Sequence, residues 1–227
     1  MNKNIKVIFW VFFLGLYACI EPKENPLITK TDPNILAIGN SITWHPPAPE
    51  IGWNGNWGMA ASAPGKDYFS VLESLVKSKK PEANLKSENV YPFERGFSSF
   101  DFSFYEHLRD FNPDILIIRF GENIGEAEIS GNELSESIKL FVDYLANGRK
   151  MEVIVTTTFW YSQKVNQQLT LSAQANNWKL VHLTDLGFKE ENMAIGLFAN
   201  ESVGRHPGDL GMERIAKRIF ETLKSFI

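Results

Sequence analysis

Two short, largely apolar runs constrain the fold of this chain most, because each stops at a glycine and then delivers polar side chains. Ile35-Leu36-Ala37-Ile38-Gly39 leads to Asn40 and Ser41, and Ile115-Leu116-Ile117-Ile118-Arg119-Phe120-Gly121 leads to Glu122 and Asn123. Continuous hydrophobicity, unlike strict alternation, marks a strand buried on both faces, as in a parallel sheet covered by helices. Apolar and helix-period segments alternate along the chain. The pattern predicts strands near 35–39, 86–92, 115–120, 152–158 and 179–183, and helices near 66–79, 102–111, 133–147, 163–177 and 209–226. Such alternation implies parallel strands joined by crossover helices. The expected fold class is α/β, a three-layer α/β/α sandwich around a central, mostly parallel sheet of five strands.

Open α/β sheets bind their ligands at the carboxyl edge. Ser41 and Asn123 both fall at strand ends on that edge. A third polar group comes from Val203-Gly204-Arg205-His206-Pro207-Gly208, a loop that feeds the last helical pattern. Serine, asparagine and histidine can therefore converge on one edge. A serine becomes a nucleophile only when a base and oxyanion donors reach it, and a neutral imidazole can take its proton near pH 7. Between Thr43 and Gly65 lies an irregular stretch with Trp44, Trp53 and Trp57, which either walls this edge or pins itself to the core.

These residues resemble the SGNH hydrolases, also called GDSL-type esterases. Gly39-Asn40-Ser41-Ile42 is similar to the first block of that family, with Asn40 where Asp is usual. Gly121-Glu122-Asn123 resembles the third block and His206-Pro207 the fifth, while Arg95-Gly96 is the best match to the second. The resemblance spans residues 34 to 227. It implies Ser41 as nucleophile, His206 as base, and an oxyanion hole formed by the amides of Ser41 and Gly96 with the side chain of Asn123.

The family usually places an Asp three residues before the histidine, and here that position is Val203. Glu201, Asp209 or a backbone carbonyl of the 199–205 loop could orient the imidazole instead. The reading favours a Ser41–His206 dyad oriented by a carbonyl, with Glu201 the alternative third triad member. Asn40 is expected to supply the turn hydrogen bonds of the family's Asp without its charge. His45 and His182 are read as structural. Glu50, Glu122 and Asp67 are read as solvated or hydrogen-bonded surface groups. No His, Cys and acid spacing suggests a metal, and no Gly-rich phosphate loop suggests a cofactor.

The N-terminus reads as a secretion and anchoring signal. Lys3 and Lys6 precede an apolar stretch from Val7 to Leu16, and Leu16-Tyr17-Ala18-Cys19 looks like a bacterial lipobox. Residues 1–18 are thus expected to be a lipoprotein signal peptide, 19–33 a tether after lipidated Cys19, and 34–227 the hydrolase-like domain. Cys19 is the only cysteine, so no intramolecular disulfide can form. The formal net charge of -4 and the lack of a basic stretch argue against nucleic acid.

The expected function is a serine-dependent ester hydrolase outside the cytoplasm, held to the bacterial envelope by lipid alone. By resemblance its substrates would be small acyl esters, carbohydrate O-acetyl esters among them. The alternatives are an O-acyltransferase and a catalytically impaired carbohydrate-binding envelope protein.

Overall fold

Hydrophobicity on both faces of the strands builds the core. The computed structural model describes Lys30 and residues 32–227. The expected signal peptide, Cys19 and nearly all of the tether lie outside the described residues. Strands β1 (Asn34–Gly39), β2 (Asn84–Asn89), β3 (Ile115–Arg119), β4 (Glu152–Thr156) and β5 (Lys179–Val181) form one all-parallel sheet in the order β2-β1-β3-β4-β5. Leu36, Ile38, Leu116, Ile118, Val153 and Val155 face one apolar layer, which includes Ile138, Phe141 and Leu145 of α4 (Glu133–Ala146) and Val165 and Leu169 of α5 (Gln163–Ala175). Ile35, Ala37, Ile115, Ile117 and Ile154 face the other, with Leu72 and Val76 of α1 (Tyr68–Lys77) and Ile215 and Ile219 of α7 (Asp209–Leu223). This is the expected three-layer sandwich. Each of these Val, Leu, Ile and Phe side chains contributes about 1.5–3 kcal/mol through burial.

The second strand departs from expectation. It ends at Asn89, and Tyr91-Pro92-Phe93 opens a short helix, α2 (Tyr91–Gly96), in place of the strand's last residues. Pro92 explains the change, because a proline in a helix's first turn gives up no intrahelical hydrogen bond and its fixed φ suits the helix. Two further short helices are α3 (Glu106–Asp110), within the stretch expected to be helical over 102–111, and α6 (Glu201–Gly204), which precedes the His206 loop.

The strand order reverses direction between β1 and β3, and at such a switch point the connecting loops diverge and leave a crevice. Gly39 and Gly121 let the two strand ends sit close there. A Cβ on Gly39 would lie 2.6 Å from the Arg119 carbonyl, and Gly121 has a φ of +132° with Thr158 and Val165 pressed against it. The turn bearing Ser41 and the loop bearing Asn123 leave the sheet side by side at that crevice.

Candidate active site

Beyond Gly39 the chain turns sharply around the Asn40 carbonyl, which accepts the amides of Thr43 at 2.8 Å and Trp44 at 3.0 Å. The Asn40 side chain tightens the turn by accepting the Ile42 amide at 3.2 Å. Ser41 sits at the apex with its hydroxyl 2.9 Å from Nε2 of His206. On the other side of the ring, Nδ1 lies 2.8 Å from the carbonyl of Ser202. A carbonyl can only accept, so Nδ1 carries the proton and Nε2 presents its lone pair to Ser41. The His206 backbone is fixed as well: its amide donates to the Val203 carbonyl and its carbonyl accepts the Ala194 amide, both at 3.0 Å. The Trp160 ring stands perpendicular to the imidazole, with centroids 4.9 Å apart and planes at 90°. Burial disfavours the imidazolium and pushes the His206 pKa down to about 4. The ring is therefore neutral at neutral pH and able to accept a proton.

A buried polar cluster lies beneath this pair. Arg119 is fully buried and grips Glu122 with two parallel hydrogen bonds of 2.8 and 2.9 Å. Glu122 also accepts the Phe159 amide at 2.7 Å and the Asn40 side-chain amide at 2.6 Å, so it ties the ends of β1, β3 and β4 together. Burial opposes its ionisation, yet Arg119 and these donors hold its carboxyl below the usual carboxylate range. Glu94 of α2, also buried, accepts the Gly121 amide at 2.6 Å and the Asn123 side-chain amide at 2.6 Å. Burial and the neighbouring charge of Glu122 push its pKa up.

Ser41, Asn123 and His206 line one cavity of about 580 Å3. Its walls include Trp44, His45, Ile51 and Met59 from the tryptophan loop, Asn89 at the end of β2, Tyr91 and Pro92 from the first turn of α2, and Trp160 and Asn200. Among the described residues, no Asp, Glu, Lys or Arg lines it. The tryptophan loop both walls the site and anchors itself. Trp44 lines the cavity, whereas Trp53 is 2% exposed, packs edge-on against Trp57 at 5.6 Å and donates to the His45 carbonyl.

Several sequence-predicted residues stand elsewhere. Gly96 is the last residue of α2 and does not line the cavity, because the chain after Asn89 coils into helix and carries Gly96 away from the sheet edge. Glu201 is exposed at the first turn of α6 and lines a separate depression with Phe188 and Arg205. Asp209 is engaged by the amide and hydroxyl of Ser62 at 2.8 and 2.7 Å. Glu122 and Asp67 are not surface groups: the Glu122 side chain is 2% exposed, and buried Asp67 caps α1 by accepting the Ser70 amide. Asn40 does more than replace an Asp in the turn, since its Nδ2 donates to both Glu122 and Glu94. His182 is exposed just after β5 and lines a separate depression with residues of α5, while His45 lines the cavity. Sequence reasoning missed Trp160, Glu94 and Arg119. Among the described residues, no group of three or more His, Cys, Asp or Glu could hold a metal ion.

No protein-family model and no curated protein matches the chain. Solved structures do. An α/β hydrolase enzyme from the metagenome of Lake Arreo, Spain, superposes with a TM-score of 0.59 at 16% identity, covering 86% of this chain and 96% of that one. An acetyl xylan esterase from Geobacillus stearothermophilus gives a TM-score of 0.57 at 15% identity over 87% of this chain and 99% of that one. A two-domain esterase active on acetylated mannans gives 0.57 at 18% identity over 86% of this chain and 50% of that one, so this chain spans half of its length. The protein shares the fold of these enzymes.

Proposed function

We propose that the protein is a serine ester hydrolase of the SGNH type that removes small acyl groups from uncharged alcohols, acetylated carbohydrates foremost. The observation that carries the reading is the 2.9 Å contact from the Ser41 hydroxyl to a neutral His206 whose other nitrogen is held by a carbonyl. Ser41 Oγ attacks the ester carbonyl as His206 Nε2 takes its proton. The negative charge on the carbonyl oxygen meets the side-chain amide of Asn123 and the backbone amide of Ser41. His206 then returns the proton to the departing alcohol, leaving an acyl-Ser41; a water deprotonated by the same nitrogen attacks the acyl carbon, and the proton passes to Ser41 Oγ as its bond to the acyl group breaks and the acid leaves.

Substrate class follows from the lining. With no Asp, Glu, Lys or Arg among the described residues of the lining, a charged substrate would lose its hydration without an ionic partner. Trp44, Tyr91 and Trp160 offer flat apolar faces, and Asn89 and Asn200 offer amides, a combination suited to a sugar ring with its C–H face and hydroxyls. Neighbours of this fold that act on acetylated mannans or acetyl xylan support the same choice. The lipobox-like Leu16-Tyr17-Ala18-Cys19 supports a location outside the cytoplasm, with the protein anchored through acylated Cys19. A fatty-acid probe should label the wild type and not Cys19→Ser.

Purified residues 20–227 should hydrolyse nitrophenyl acetate faster than its longer acyl homologues, and should deacetylate a neutral glycan faster than an acetylated uronate polymer. Ser41→Ala should abolish both activities. Ester hydrolysis that survives Ser41→Ala would overturn the mechanism, and preference for the uronate polymer would overturn the substrate class.

A further inference from the structure

Glu94 is a buried acid that the mechanism above does not use. Its side chain has no cation beside it, since the nearby Arg119 is occupied by both oxygens of Glu122. What holds it is a set of N–H groups. Oε1 accepts the amides of Gly121 at 2.6 Å and Asn123 at 3.3 Å and the side chain of Asn40 at 3.2 Å, while Oε2 accepts Nδ2 of Asn123 at 2.6 Å. One carboxyl thus touches the residue before Ser41 and both ends of the Gly121–Asn123 turn.

The last of these contacts has a chemical consequence. A carboxamide nitrogen carries two protons, and its oxygen carries none. With one Nδ2 proton taken by Glu94, the second is left for the cavity that Asn123 lines. The N–H donors around Glu94 favour its ionised form, and against that carboxylate a carboxamide turned over would set oxygen against oxygen, which repel. We propose that Glu94 is a positioning residue that locks the Asn123 carboxamide in the one orientation that points an N–H at the reacting carbonyl oxygen. The inference rests on the ester-hydrolase reading and adds to it the group that aims the oxyanion donor. Glutamine at this position would still accept the Gly121 amide through its oxygen. Its own NH2 would then confront Asn123 and turn that carboxamide over, bringing oxygen lone pairs to the place where negative charge develops.

The test is a double-mutant cycle with Glu94→Gln and Asn123→Ala, together with the side-chain amide signals of Asn123 in 15N-labelled protein. Removing one oxyanion donor costs about 10²–10³ in kcat, so each single variant should lose about that much in kcat with KM nearly unchanged. The double variant should lose no more than about threefold beyond the worse single one. The two Nδ2 proton signals should be widely split in the wild type and draw together in Glu94→Gln. A kcat within about threefold of wild type in folded Glu94→Gln, or losses that multiply in the double variant, would overturn the role. If the wild type hydrolyses no ester, the hydrolase reading fails by itself. The amide signals then still decide whether Glu94 holds Asn123: a split that collapses in Glu94→Gln upholds the contact, and an unchanged one refutes it.

Discussion

Nδ1 of His206 meets the carbonyl of Ser202, four residues earlier in the chain, at 2.8 Å. This contact takes the place where a serine hydrolase commonly has a carboxylate. It sets the tautomer as a carboxylate would, because a proton must sit between ring nitrogen and carbonyl oxygen. It supplies only a dipole, however, and so stabilises the imidazolium formed during reaction less than a full negative charge does.

No acid near the dyad should therefore prove essential. Glu201→Gln and Asp209→Asn should each lower kcat less than about tenfold, while His206→Ala should remove all but a residual activity. Glu201 is exposed and Asp209 is engaged with Ser62, so neither reaches the ring. A loss of a thousandfold or more in Glu201→Gln, with folding intact, would show that the loop rearranges to build a triad.

The buried, neutral His206 sets the acid limit of activity. In a profile of log kcat/KM against pH, the acid limb should bend near the ring's pKa of about 4 and not near the ordinary 6.5. Stability carries the matching sign. Between those two values the unfolded chain binds a proton on this histidine that the folded chain refuses, so stability falls as pH drops through that window and levels off below about 4. The urea midpoint should be lower at pH 5 than at pH 7, with a smaller difference in His206→Ala.

Asn40 should not tolerate the aspartate that the resemblance leads one to expect. Its Nδ2 donates to Glu122 at 2.6 Å and to Glu94 at 3.2 Å, and an aspartate would turn both contacts into repulsion between oxygens. Arg119, the cluster's one cation among the described residues, is bound closely to Glu122 at 2.8 and 2.9 Å and reaches Asn40 Oδ1 only at 3.5 Å. Asn40→Asp should cost at least about 1–3 kcal/mol at pH 7. The folded state would raise the new carboxyl's pKa, so the penalty should shrink as pH falls and the group takes up a proton. Denaturant titrations of both proteins at pH 7 and pH 5 measure it, and an equal loss at the two values would refute the electrostatic cause.

Burial on both sides made β1 and β3 legible, since Ile35–Ile38 and Ile115–Ile118 must be apolar at every position. Strand β2 was read too far along because it is a half-exposed edge strand, NLKSEN, whose pattern says little about where it stops. The polar contributors Ser41, Asn123 and His206 were visible because each follows a break in an apolar or helical pattern. The cluster beneath them was not. A charged side chain looks the same in sequence whether it faces water or its partner. One signal was available: Arg119 interrupts an otherwise apolar run with Glu122 three residues on, and a cation inside a buried strand needs such a partner. Trp160 carried a weaker one, lying past the carboxyl end of β4 on the same edge as Ser41.

Trp160 is the group most able to reset the dyad. Its ring packs perpendicular to that of His206, and its Nε1 donates to the Arg205 carbonyl at 3.1 Å, fixing the indole beside the loop that carries the histidine. Burial is the first cause of the depressed His206 pKa, so opening this wall to water should bring the pKa back toward 6.5. Trp160→Ala should shift the acid limb of kcat/KM upward, and its activity relative to wild type should be about tenfold worse at pH 5 than at pH 8. Trp160→Phe keeps an aromatic ring against the imidazole while losing the Arg205 contact, so its limb should stay near that of the wild type. Should Trp160→Ala retain the wild-type limb, the packing of Trp160 would not be what keeps the imidazole neutral.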